Sequence, residues 1–185
     1  TFAGYIAYCQ KEGIISGYAD GTFRPANTLT GYAFMKMLLG ALGYDAEVEQ
    51  YTGANWSINV AKRALNIGLD DDLVGDFNGV KAVTREEACL YALNTMTADM
   101  VEYDAKTTVS TNGTTVVIAG SKAKEMVNNG NSDGKVFDKD GVMQFAEKYF
   151  DNLSVKTGSD DFARPANVWK LKAEKIGTYA DTADL

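Results

Sequence analysis

Apolar residues recur at helical spacing through the first hundred positions. Phe2, Tyr5, Ile6 and Cys9 mark one face of a helix over 2–11. Gly13 stands where that helix would be capped, and Ile14-Ile15 follow as a short buried connector. Tyr18-Ala19-Asp20-Gly21 predicts a turn, since Asp can bond its own backbone and Gly accepts a positive φ. Pro25 forbids a through-running helix and biases Arg24 toward an extended backbone. Thr30 then caps a helix over 31–42 that is apolar nearly all round (Phe34, Met35, Met37, Leu38, Leu39, Leu42), as befits the middle of a bundle, and Gly43 ends it. After an acidic linker over 45–53, Asn55 caps a helix carrying Trp56, Val60, Ala64 and Ile67. Gly68-Leu69 repeats the part of Gly13-Ile14. An acidic loop over 70–82 leads to Thr84, which opens a helix through Leu90, Tyr91, Leu93 and Met96.

These stretches align with one another. Gly13 falls on Gly68, Leu29 on Val83, Thr30 on Thr84, and the helix at Gly31 on the one at Arg85. Each unit reads helix, Gly turn, loop, capped helix, and such units need neighbours to cover their apolar faces. The pattern then changes. Residues 107–120 alternate and are β-branched around Asn112-Gly113, a strong hairpin signal. Residues 121–140 read as surface loop, and Val142 to Leu153 as an amphipathic helix. Val168–Leu171 and Ile176–Tyr179 read as the arms of a second hairpin. The expected fold is mainly α, two helical repeats over 1–44 and 45–100, followed by a small α+β segment over 101–185.

Composition narrows the chemistry. A net charge of −7 argues against a nucleic-acid binder and against docking on an anionic membrane through bulk charge. No stretch approaches the ~20 apolar residues of a membrane span. The 185 residues contain no histidine, which excludes Ser-His-Asp and Cys-His catalysis. Cys9 and Cys89 lack zinc-ligand spacing and are expected as two small buried side chains. Asp70-Asp71-Asp72-Leu73-Val74-Gly75 opens like a calcium loop, but Lys81 stands where the closing Glu belongs, so a solvated acidic loop is expected. No cofactor is expected, calcium at this loop being the alternative, and no nucleophile–base pair or phosphate loop can be singled out.

Gly13-Ile14-Ile15-Ser16-Gly17-Tyr18-Ala19-Asp20-Gly21-Thr22-Phe23-Arg24-Pro25 resembles the core of the S-layer homology (SLH) repeat of bacterial surface proteins. Thr84-Arg85-Glu86-Glu87 resembles the family's Thr-Arg-Ala-Glu box. The resemblance covers about residues 1–100. Phe162-Ala163-Arg164-Pro165 and Lys175-Ile176-Gly177-Thr178-Tyr179 resemble segments adjoining such repeats in surface proteins of gut Firmicutes. It implies a helical module, usually three repeats in a pseudo-threefold bundle. Such a module lies outside the cell and anchors its protein non-covalently to pyruvylated wall polysaccharide.

The box has a physical rationale. Thr84 at the N-cap and Glu87 three residues on can satisfy each other's orphan N–H groups. Arg85 in the first turn then offers a guanidinium fork beside a helix N-terminus, a fit for a carboxylate. The alternative is that Arg85 pairs with a nearby carboxylate. Repeat one carries Gly31 and Ala33 in place of the Arg and Glu, so its helix start lacks the cation. Candidate ligand residues are therefore Arg85, Thr84 and Glu87, with Asp20 and Arg24 from the loop and Trp56 as a sugar-stacking ring. Arg24 reads equally as a loop brace, Tyr18 as a sugar platform, and Trp56 as a sugar platform or a packing residue. Expected partners are the polysaccharide or, alternatively, copies of the chain in a surface lattice.

Overall fold

The computed structural model describes residues 2–18, 20–104, 107–111, 114–118 and 122–180; over 107–111, 114–118 and at 180 it describes the backbone alone. The chain forms two compact units, 1–124 and 125–185.

The first unit holds α1 (Ala3–Lys11), α2 (Gly31–Ala41), α3 (Trp56–Asn66) and α4 (Arg85–Thr97). Its strands are β1 (Val101–Glu102), β2 (Thr107–Thr111) and β3 (Thr114–Ile118). β4 (Lys124–Glu125), where one unit passes to the next, pairs with β1. β2 and β3 pair antiparallel, with Thr111 opposite Thr114; Asn112 and Gly113, the expected turn, lie outside the described residues.

α1, α2 and α3 stop in the same way. The amide of the residue after the glycine reaches back five positions: Ile14 to the Cys9 carbonyl at 2.9 Å, Tyr44 to Leu39 at 3.0 Å, Leu69 to Ala64 at 3.0 Å. This closure needs a left-handed residue at the glycine, and φ is +73° at Gly13, +101° at Gly43 and +72° at Gly68. Gly43 is the most constrained, because a Cβ there would lie 2.2 Å from the Val101 carbonyl oxygen.

The core of this unit is Met35 and Leu39 from α2, Leu42 at its C-cap, Val60 and Ala64 from α3, with Leu69, Tyr91 and Met100, all nearly or fully buried. Each such large side chain contributes about 1.5–3 kcal/mol. Rings link the helices: Trp56 to Tyr32 (6.3 Å between centroids), Tyr32 to Phe77 (5.8 Å) and Phe77 to Tyr91 (6.1 Å). α1 is different. It has no buried residue, and Phe2, Tyr5 and Tyr8 are exposed.

The second unit holds α5 (Phe145–Tyr149) and an antiparallel meander of β5 (Leu153–Ser159), β6 (Pro165–Leu171) and β7 (Glu174–Ala180). The expected hairpin is β6–β7, with Val168 opposite Thr178. The helix expected over 142–153 is shorter. Val142 is instead bridged to Val127, Gln144 and Glu147 form the capping box, and Leu153 opens β5. Glu147 is buried and anchors this unit. Its carboxylate accepts from the Gly134 amide (3.0 Å), the Asn128 amide nitrogen Nδ2 (2.9 Å) and the Gln144 amide (3.2 Å).

Among the described residues the chain is an α+β mixture of five helices and short sheets. Three local expectations are corrected. Asn55 sits at the N-cap of α3, but its side chain caps nothing. Arg24 is left-handed (φ +50°), not extended, because its side chain is pulled back onto Asp20 and over Tyr18. Neither cysteine is buried: Cys9 is half-buried and Cys89 exposed, and both are free.

Candidate functional site

The start of α4 is built by its own first turn. Thr84 has the extended backbone of an N-cap (φ −79°, ψ 166°), and its Oγ1 accepts from the Glu87 amide at 3.2 Å. Glu87 Oε2 accepts in return from the Thr84 amide at 2.7 Å. Lys81 Nζ lies 3.8 Å from the other Glu87 oxygen. The Thr84 amide above all, then its hydroxyl and Lys81, hold the Glu87 carboxyl below its ordinary pKa. Glu87 is thus fully engaged in holding the helix start.

Arg85 is not engaged. It is exposed, and among the described residues it has no ion pair. The amides of Arg85 and Glu86 likewise have no protein acceptor among the described residues. The first turn therefore presents two free N–H groups and a free guanidinium to solvent, the constituents of an anion site.

The start of α2 has the opposite character. Thr30 keeps its cap, accepting from the Ala33 amide at 3.4 Å. Its free amides are consumed by backbone: Gly31 donates to the Lys81 carbonyl (3.0 Å) and Tyr32 to the Gly79 carbonyl (2.8 Å), beside an antiparallel bridge of Thr30 with Ala82. A Cβ at Gly31 would meet the Asn78 oxygen and Gly79 Cα, both at 3.1 Å, and the Phe77 ring at 3.3 Å. Glycine at the box arginine position lets the 77–81 loop close over this helix start. The same loop delivers Lys81 to Glu87. Lys81 and Gly79 were missed in the sequence because loop register carries no periodic signal.

Asp20 and Arg24 lie together in the 17–27 loop. Arg24 is ion-paired to Asp20, donates from Nε to Thr22 Oγ1 (2.9 Å), and covers the Tyr18 ring at 4.5 Å. The Thr22 hydroxyl and then its amide hold Asp20 below the ordinary carboxylate pKa. Both charges are committed to the loop. Trp56 is half-buried, edge-on to Tyr32, with Lys36 Nζ 5.6 Å from its ring centroid. The structure thus brings Thr84, Arg85 and Glu87 together, and Asp20 with Arg24. Trp56 connects toward α4 through Tyr32, Phe77 and Tyr91.

The S-layer homology domain family matches residues 1–31, which span α1, the Asp20–Arg24 loop and the Thr30 cap. The α4 start lies beyond the matched residues of that domain. The chain is also similar to the Middle cell wall protein of Brevibacillus brevis, with 26% identity over 101 residues. That alignment takes in 55% of this chain and 9% of the Brevibacillus protein. No solved structure matches. Among the described residues no helix is long and apolar enough to cross a membrane, and no group of three or more acidic or cysteine side chains is placed to hold a metal ion.

Proposed function

We propose that this chain is a non-catalytic module that keeps its protein at the bacterial cell surface by binding wall polysaccharide non-covalently. The SLH domain and the similarity to a cell wall protein support a cell-wall role in general. The finer reading assigns the contact to the α4 start. There Arg85 receives a carboxylate, such as the ketal pyruvate of a wall glycan, and the Arg85 and Glu86 amides complete the anion site. The observation that carries this reading is the contrast between two helix starts: that of α2 is sealed by the 77–81 backbone, while that of α4 is open, with an arginine that has no ion pair among the described residues. In this reading residues 1–44 and 45–100 are two SLH repeats of a helical bundle, and residues 101–185 extend it. Binding to purified wall polysaccharide, with its pyruvate groups intact or removed, tests the proposal; Arg85→Ala and pyruvate removal should weaken it alike.

One observation favours a second reading, self-assembly into a surface lattice. α1 has no fully buried residue, and Phe2 at its N-cap, Tyr5 and Tyr8 are exposed. Sheets or filaments formed by the purified chain in the absence of any glycan would support it.

A further inference from the structure

The meander of the second unit carries a basic face on an acidic chain. Paired residues of antiparallel strands share a face, as do residues two apart on one strand. Lys156 of β5 stands opposite Val168 of β6, while Ser154 of β5 and Lys175 of β7 both stand opposite Lys170 of β6. Lys156, Lys170 and Lys175 therefore lie on one face, one lysine from each strand. The other face is engaged within the unit: Leu153 is buried, and Trp169 meets the Phe137 ring at 5.6 Å.

A bulge builds this face. The register shifts between Trp169 and Lys170, so Gly177 pairs with Trp169 but Lys175, not Ile176, pairs with Lys170. Like charges directly opposite each other are unfavourable in a sheet, and bulges recur where a side chain is re-aimed for use. Lys156 and Lys175 are exposed and Lys170 is half-buried. Among the described residues none of the three has an ion pair. Ile176, left unpaired by the bulge, is 56% exposed.

The first unit offers the complement. In the loop before α4, Asp70, Asp71, Asp72 and Asp76 flank Val74, which is 98% exposed. Among the described residues none of these carboxylates has an ion pair. Chains of net charge −7 repel one another at large, so two copies meet most readily where charges match locally. Exposed apolar side chains in both patches favour a protein partner over an anionic polymer, which would make no use of Ile176 or Val74. The two patches are different surfaces. Contact between them is therefore head to tail and can continue from copy to copy as an open chain.

We propose that the lysine face of one copy docks on the 70–76 loop of another. This rests on the self-assembly reading above and gives it a contact that does not involve α1. The test is sedimentation velocity of the whole chain over a concentration series, at low and high salt, with no glycan present. Association should rise with concentration at low salt and be lost at ~1 M salt, where the screening length falls to ~3 Å. Lys156→Glu with Lys175→Glu should weaken association about tenfold or more, and so should Asp72→Lys with Asp76→Lys, because each sets like charges across the contact. An equimolar mixture of the two double variants should associate as the native chain does, since each then meets opposite charge; misfolded variants would not recover in this way. Native association that persists in both variants, or a mixture that stays apart, overturns this contact and leaves self-assembly to α1, which Tyr5→Ser with Tyr8→Ser would then abolish. A native chain that stays monomeric at every concentration overturns the contact and the self-assembly reading together. Retention of that monomer by inorganic polyphosphate, lost in Lys156→Glu with Lys175→Glu, would assign the face to an anionic polymer instead.

Discussion

Side chains at the two helix starts divide into groups that hold structure and groups left for a ligand. Thr84 and Glu87 belong to the first kind. Thr84→Ala should cost about 1 kcal/mol, as N-cap removals do, read by urea denaturation. Glu87 adds a pH dependence. Its pKa is lower in the folded chain than unfolded, so its contribution is complete above the unfolded carboxylate value of about 4.3 and is lost as pH falls through the lower folded value. Glu87→Gln should flatten that part of the acid limb while leaving the slope above neutrality unchanged. Gly31 makes the opposite case. Restoring an arginine there should not restore a site, because its Cβ would press on Asn78, Gly79 and Phe77. Gly31→Arg should lower the melting temperature and add no glycan affinity; a stable variant with added affinity would refute this account of the sealed α2 start.

At the scale of elements, the sequence was most legible where a glycine or a hydroxyl punctuates a helix. Gly13, Gly43 and Gly68 each end a helix, and Thr30 and Thr84 each begin one, because those roles rest on local backbone chemistry. Long-range pairing was not legible. Nothing local announces that Leu29 accepts from the Val83 amide, or that 79–81 supplies acceptors to α2. The Arg24 loop shows the same limit. Pro25 predicts an extended arginine, yet pairing with Asp20 four residues back wins. Asp160 and Arg164, also followed by a proline, repeat that brace at 2.6 Å, with Arg164 over Phe162. In the second unit a helix was expected to reach Leu153, whereas the alternating Leu153–Ser159 run forms an edge strand beside β6. The short α5 depends on Glu147. Glu147→Ala removes the buried acceptor shared by Asn128 Nδ2 and the Gly134 and Gln144 amides and should cost about 3 kcal/mol in this unit. Loss of protected amides confined to 125–180 in hydrogen exchange would show it.

For the whole molecule, charge and helix starts point the same way. An acidic chain of net charge −7 repels anions in general, so a glycan carboxylate needs a local cation that no carboxylate has claimed. Arg24 and Arg63 are claimed by Asp20 and Glu49, and Arg164 by Asp160. Arg85 is not. The matched SLH segment therefore supplies architecture, and the helix start beyond it supplies the proposed contact. The most direct test is the affinity of the native chain and of Arg85→Ala for purified wall polysaccharide, before and after removal of pyruvate. Arg85 as the carboxylate ligand predicts that either change alone lowers affinity by about tenfold or more, and that the two together lower it little further. Unchanged binding by Arg85→Ala, or additive losses, would contradict it.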